Sequence, residues 1–402
     1  MIGDDRLAVC FLFAVALAFA SCCAAVGATA RQQRGAISPI LVNLLPGASQ
    51  RFTVQVEGHP ARAAKWLVND IAGGSAEIGR ITRNGLYRAP ARPPVPNEVH
   101  IGAMVEGVEN PYVCSTVLVG RQIPYYRLSA RWGEYGEGAG QFLEAHGIAL
   151  DADGNVLIAD PVRSRVMRFA TDGKFLGELG LGPGSALGAF QGPPDVQVGP
   201  DGHILVLDRN NNRVQEFTRA GQFVRAWGQA GSGTGQFNRP HSIAFGKNAR
   251  VYVADTDNDR IQVFDRDGKF LFAWAGSASG LRAPHAVAVD RNGDVFVLDY
   301  YGMCQKFTAD GKLLFSLAQR DETCHSLASD RWGDVYLMAR HPAFGPSIVK
   351  YNNDGAYITR FAVASAGGPG FYPKCAVVDA KGRVLVTETD QHHVAVDALE
   401  PE

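Results

Sequence analysis

Net charge is nearly absent from this chain: 39 basic residues stand against 40 acidic ones, leaving −1 over 402 positions. Without a basic field, neither nucleic acid nor an anionic bilayer surface is expected as a partner. Cysteine is scarce as well, at 7 residues, three of them (Cys10, Cys22, Cys23) near the N-terminus. The other four, Cys114, Cys304, Cys324 and Cys375, are too few and too scattered for a disulfide framework, and none forms a C-x-x-C metal pair. Cys324 and Cys375 fall at nearly equivalent phases of the repeats described below, so a bridge between them is conceivable, but buried free thiols are the expectation. No P-loop, dinucleotide-binding glycine fingerprint or G-x-S-x-G elbow occurs. The D-G-N and G-D-V pieces lack the acidic ladder of a calcium loop and read as hairpin turns.

Long apolar runs are missing too. Leu7 to Ala20 (LAVCFLFAVALAFA) is shorter than the roughly 20 residues that span a bilayer. Arg6 precedes it, and Ala28-Thr29-Ala30 follows as an A-x-A cleavage pattern, so residues 1–30 read as a secretory signal peptide despite the acidic Asp4 and Asp5. The mature protein is therefore expected to be secreted or held in the cell envelope. The run Phe19, Ala20, Ser21, Cys22 resembles a bacterial lipobox, which makes a lipid anchor at Cys22 the one expected route to a membrane.

Glycine is plentiful, at 46 residues, and the apolar segments favour Val, Ile, Phe and Tyr. Such a composition suits an all-β protein with many tight turns, and the length suits two domains. Residues 37–120 alternate in the strand manner (RFTVQVEG, AKWLVND, EVHIGAMVEG, CSTVLVG), which predicts a small antiparallel sandwich. The element GRITRNGLYRAP, from Gly79 to Pro90, resembles the bacterial Ig-like modules of surface proteins. By that resemblance Trp66 is the core aromatic, Asn84-Gly85 a tight turn, and the module a spacer or adhesive support.

From Tyr125 onward the chain repeats with a period of roughly 40–50 residues, in the range of propeller blades. GAFQGPPDVQVGPDGHILVLDRNNNRVQEFTRAGQFVRAWG aligns with GQFNRPHSIAFGKNARVYVADTDNDRIQVFDRDGKFLFAWA. Six units can be counted, beginning their inner strands near His146, Pro194, His241, His285, His325 and Lys374. The last unit ends after three strands, and Tyr125–Phe142 matches the fourth strand of another unit. Residues 125–402 are thus expected to form a six-bladed β-propeller closed by its N-terminal strand. The pattern Asp208, Asn211, Arg213 and Asp255, Asn258, Arg260, with P-x-x-[IV]-A before it and G-[KQ]-F after it, resembles NHL-repeat propellers. These polar residues are expected to cap turns and tie strands together.

His146, His241, His285 and His325 recur at one phase of the repeat. In a six-fold ring, alternate blades bring His146, His241 and His325 toward one point, the ligand set of a catalytic zinc with an open position. HGIALDADGN around His146, PPDV at Pro193–Val196 and RPHSIAF around His241 resemble the lyase domain of peptidyl-glycine α-amidating enzymes. That resemblance implies zinc, with a tyrosine and arginines acting on substrate. Arg209-Asn210-Asn211 stands where the family tyrosine is expected, and Thr256 where an arginine is. Arg209, Tyr300, Tyr301 and Arg340 occupy neighbouring rim phases, so Arg209, Tyr300 and Arg340 become the candidate catalytic groups above the metal. The same histidines also suit a metal-free wet channel. There His285 and Lys374, with Asp195, would bind a carboxylate, phosphate or sugar acid. His392 and His393 are expected to face solvent. The sequence therefore predicts an exported binding or scaffolding module taking a protein, peptide or small anionic ligand at the propeller face, with a zinc-dependent lyase or hydrolase as the alternative.

Overall fold

A computed structural model describes residues 35–401, apart from 57–58, 62, 95–96, 107, 109–110, 121–125, 276–279, 318–322, 342–344, 363–371 and 390–393. The expected signal segment, Cys22, His392 and His393 lie outside the described residues. Among the described residues the protein is all β, with only three-residue 3-10 turns besides strands, and no helix is long and apolar enough to cross a membrane.

Six four-stranded antiparallel sheets make the propeller. Blade 1 comprises Ile148–Leu150, Val156–Asp160, Arg165–Phe169 and Phe175–Leu179; blade 2 begins at Asp195–Val198, blade 3 at Ser242–Phe245, blade 4 at Pro284–Val289, blade 5 at Thr323–Ser329 and blade 6 at Tyr372–Val378. The inner strands pack side by side into a closed ring. Blade 6 has three strands from the C-terminal end of the chain. Its fourth is Tyr126–Trp132, antiparallel to Val394–Pro401 with Tyr126 opposite Pro401. The second strands (VLIAD, ILVLD, VYVAD, VFVLD) are buried along their whole length. Each lies sandwiched between neighbouring blades, which is why they read as continuous apolar runs rather than alternating ones.

The motif residues hold each blade to its own turn. Asp208 is fully buried, and its Oδ2 accepts from Asn211 Nδ2 (2.8 Å), Arg213 Nε (2.8 Å) and Gln215 Nε2 (3.0 Å), while Gln191 N–H donates to Oδ1. Asp255 repeats the arrangement with Asn258, Arg260, Gln262 and the backbone of Asn238. A carboxylate so surrounded has every lone pair used and is structural. Between blades, the Trp of one fourth strand lies on the turn glycine of the next: Trp132 on Gly173, Trp227 on Gly268, Trp274 on Gly311. A Cβ at Gly268 would sit 2.5 Å from the Trp227 ring, and φ is +79° there, so only glycine fits.

The N-terminal strands form sheets of three, four and five strands around one core that includes Phe52, Trp66, Val68, Tyr87, Val99 and Ile101. The sequence pattern predicts purely antiparallel pairing, yet Leu41–Leu44 pairs parallel with Tyr112–Val119. At the expected turn, Gly85 N–H donates to Thr82 O, and a Cβ on Gly85 would strike Phe52 O and the Trp66 ring.

These sheets dock on blades 4 and 5 through buried charge. Lys350 Nζ lies 2.7 and 2.6 Å from the two Glu98 carboxylate oxygens and 3.2 Å from Asp334 Oδ2. His100 Nε2 lies 3.1 Å from Glu98 and 3.2 Å from Asp334, with its ring stacked on Trp332 at 4.5 Å. Arg291 adds an ion pair to Asp70 and stands over the Tyr112 ring at 3.6 Å.

All four described cysteines are free thiols. Cys324 packs with Cys304 in the core between blades 4 and 5, whereas Cys375 turns toward His146, 3.7 Å from Nδ1. The two face different surroundings, so no bridge joins them.

Candidate functional site

The inner strands start at one end of the channel, so the residue preceding or opening each strand lands on a common rim. His146, His241, His285 and His325 all line a recess of about 630 Å³ there, together with Glu144, Pro161, Arg209, Thr323, Arg340 and Lys374. The same four histidines also line a small chamber of about 30 Å³ beneath it, with Asp195, Gln197, Ser242, Ser326 and Cys375. The imidazoles thus form the diaphragm between an open mouth and a floor with room for about one or two waters.

Three of the rings are fixed by the backbone. His146 Nδ1 donates to Pro194 O (2.8 Å), His241 Nδ1 to His285 O (3.0 Å) and His285 Nδ1 to His325 O (2.9 Å). Since a carbonyl only accepts, each Nδ1 carries the proton and each Nε2 keeps its lone pair. Burial pushes His146 down to about 3 and His285 to about 4, with Lys374 adding to the effect on His146 and the His146 ring to that on His285. His241 is pushed well below the usual imidazole range, by burial first and then by His285 and His146. His325 is lowered by burial, Lys374 and Arg340. The ring is neutral at physiological pH.

The alternate-blade triad does not gather. His241 stacks on His285 at 3.6 Å between centroids, and His146 meets His241 edge-on at 5.2 Å. Among the described residues, Glu98, His100 and Asp334 are the set of three ligand-type side chains whose donor atoms lie within 4.8 Å of one another. Lys350 already fills that set with its ammonium. The channel rings are aimed at backbone carbonyls and packed on each other, and no three of them bring ligand atoms within that distance. The Nδ1–H tautomer itself is the one a metal-ligating histidine uses.

The other expected site residues divide. Lys374 reaches the mouth and pairs with Glu144 at 3.3 Å. Arg340 lines the mouth from blade 5. Arg209 reaches it from blade 2, half-buried, and its Nε is buried without a hydrogen-bond partner. Burial and Arg239 lower its affinity for the proton. Tyr300 stands on the rim beside His285, ring centroids 5.8 Å apart, with Tyr301 edge-on to it at 6.0 Å. Both phenols are strongly exposed, at 68% and 72%. Asp195 is not at the mouth. It is buried on the floor, accepting from Ser242 Oγ, Ile243 N and Val196 N, and it stitches blade 2 to blade 3. Burial raises its carboxyl to about 6. The sequence reading missed Glu144 and Cys375 as channel residues. Glu144 lies two positions before a ring histidine, and that was the signal available.

The family model DUF5128, a 6-bladed beta-propeller, matches residues 195–275. That stretch covers blades 2 and 3, where the repeat motif is most regular. No curated protein sequence matches the chain. Among solved structures, a protein of unknown function from Bacteroides thetaiotaomicron aligns at 16% identity over 92% of this chain and 99% of its own, with a TM-score of 0.54. A gluconolactonase from Xanthomonas campestris aligns at 13% identity over 70% of this chain and 96% of its own, with a TM-score of 0.51. Virginiamycin B lyase from Staphylococcus aureus aligns at 12% identity over 81% and 95%, with a TM-score of 0.48. The chain is a β-propeller. Likeness at such identities concerns the fold alone, and the chemistry has to be argued from the mouth itself.

Proposed function

We propose that this protein is an exported ligand-binding propeller whose channel mouth takes a small anionic ligand. One observation carries the reading: Arg209, Arg340 and Lys374 share a recess with a single carboxylate, Glu144. A carboxylate or phosphate is the group that a guanidinium's planar fork fits. The recess volume lies within the range of about 300–1,000 Å³ common to small-molecule sites. Calorimetric titration with succinate and with inorganic phosphate tests the reading. Binding that weakens with added salt and is lost in Arg209→Met supports it. Equal heats for the native protein and Arg209→Met would overturn it.

The tautomers of His146, His241 and His285 favour a second reading, a zinc site in the ring that would polarise a bound carbonyl or water. It requires the rings to leave their present stacking. Stoichiometric zinc in the purified protein, lost in His241→Ala, would displace the anion reading. The strands before the propeller we read as an Ig-like spacer and Cys22 as its lipid anchor. Membrane fractionation of Cys22→Ala, with release of the protein as the expected result, checks that assignment.

A further inference from the structure

We infer that the ligand of the mouth is a hydroxylated ring acid of the hexuronate type, held by its carboxylate, its hydroxyls and one face of its ring. The inference rests on the anionic reading above and adds two observations to it. The first is the hydrogen-bonding sense of the histidine ring. His146, His241 and His285 spend their Nδ1 protons on backbone carbonyls, so the atoms they have left are acceptors. A bare carboxylate brings acceptors alone and satisfies none of them. A ligand with several hydroxyls brings donors, and it can place them on Nε2 atoms while its charge goes to Arg209, Arg340 or Lys374. The second observation is the exposed phenol pair. Tyr300 and Tyr301 stand edge-on to each other beside His285, more than two-thirds exposed. Large aromatics are seldom left so open, and an amphipathic ring of this kind offers a flat apolar face with a polar tip. The C–H face of a pyranose is the matching surface. Acceptors at the centre, cations at one side and an aromatic platform at another describe one molecule carrying all three complements.

Calorimetry with four probes tests this: D-glucuronate, D-glucose, cyclohexanecarboxylate and acetate. Glucuronate should bind about tenfold or more tighter than cyclohexanecarboxylate or acetate, because only it answers the acceptors. Glucose, without the charge, should bind more weakly than glucuronate. Tyr300→Ala, a surface change that leaves the fold intact, should weaken glucuronate by about fivefold and leave acetate unchanged. If cyclohexanecarboxylate or acetate binds as well as glucuronate, the hydroxyl requirement is wrong while the anion reading survives. If Tyr300→Ala leaves glucuronate unaffected, the platform is wrong. If no acid binds, the anion reading falls and this inference with it.

Discussion

Replacing Lys350 by methionine keeps the length of the stem and removes the ammonium from the middle of a buried cluster. Its Nζ neutralises Glu98 bidentately and reaches Asp334 at 3.2 Å, with Asp330 at 4.0 Å. Without it, three carboxylates face one imidazole, His100. Removing one partner of a buried ion pair typically costs about 3–5 kcal/mol, because the surviving charges have neither water nor a counterion. Asp330 offsets part of this: burial and Asp334 already raise its carboxyl to about 6, so it can take up a proton. The cost should therefore fall at the lower end, near 3 kcal/mol. A loss of that size lowers a urea midpoint by about 1 M or more. Because the cluster joins strand Glu98–Val105 to strands Val335–His341 and Gly345–Tyr351, amide exchange should accelerate first in these three strands. Glu98→Gln added to Lys350→Met removes one of the stranded charges and should restore more than about 1 kcal/mol. An unchanged urea midpoint in Lys350→Met, with exchange in Glu98–Val105 as slow as in the native protein, would refute the idea that this cluster holds the N-terminal sheets to blade 5.

His100 gives the same cluster a pH signature. Asp334 and Glu98 raise it to about 9 against the opposing effect of burial, so its stabilisation is complete below the ordinary imidazole value near 6.5 and is lost as pH rises through about 9. A stability profile that falls over this alkaline window, and flattens in His100→Gln, is the expected result. The channel histidines act in the opposite sense. Held neutral at about 3 and 4, His146 and His285 destabilise the fold as pH drops from about 6.5 toward 3, so an acid limb in urea unfolding should shrink in His285→Asn. Asp255→Ala strands the buried donors of Gln262, Asn258 and Arg260 and should cost about 2–4 kcal/mol by thermal or chemical unfolding. Cys375, raised to about 12 by burial and Asp195, should resist alkylation in the native protein and react at once in denaturant, as read by mass spectrometry.

The repeat phase made much of the propeller legible, because a blade is one supersecondary unit and its turns leave Gly, Asp and Asn at fixed offsets. Tyr125–Phe142 matches a fourth strand in sequence, and in the structure Tyr126–Trp132 pairs with Val394–Pro401. The same periodicity carried the four histidines to one rim. It could not fix their rotamers. Neighbouring carbonyls and ring stacking hold His146, His241 and His285, and neither leaves a trace in spacing. Asp195 was expected at the ligand and is buried under the diaphragm, where it accepts from Ser242 and Ile243 of the next blade. The charge cluster at the module boundary was invisible. His100 and Asp334 are 234 positions apart and Glu98 and Lys350 are 252 apart. Glu98, His100 and Lys350 sit in strands (EVHIGAMV, GPSIVKY) and Asp334 just before one (VYLMARH), where the sequence pattern looks like ordinary alternation.

Because the ring is sealed by its first strand, Tyr126–Trp132 leaves the ribosome with its hydrogen-bonding edge exposed and must wait for nearly the whole propeller before Val394–Pro401 arrives. During that interval Trp132 can already settle against Phe169 and Gly173 of blade 1, which parks the strand beside the site of its future partner. Closure is then the latest and most non-local event of folding, and the slowest on loop-closure grounds. Until the final strand is made, the blades remain an open arc with an unpaired edge, a state a chaperone can recognise. The seam between first and last strands is thus a timer as well as a fastener.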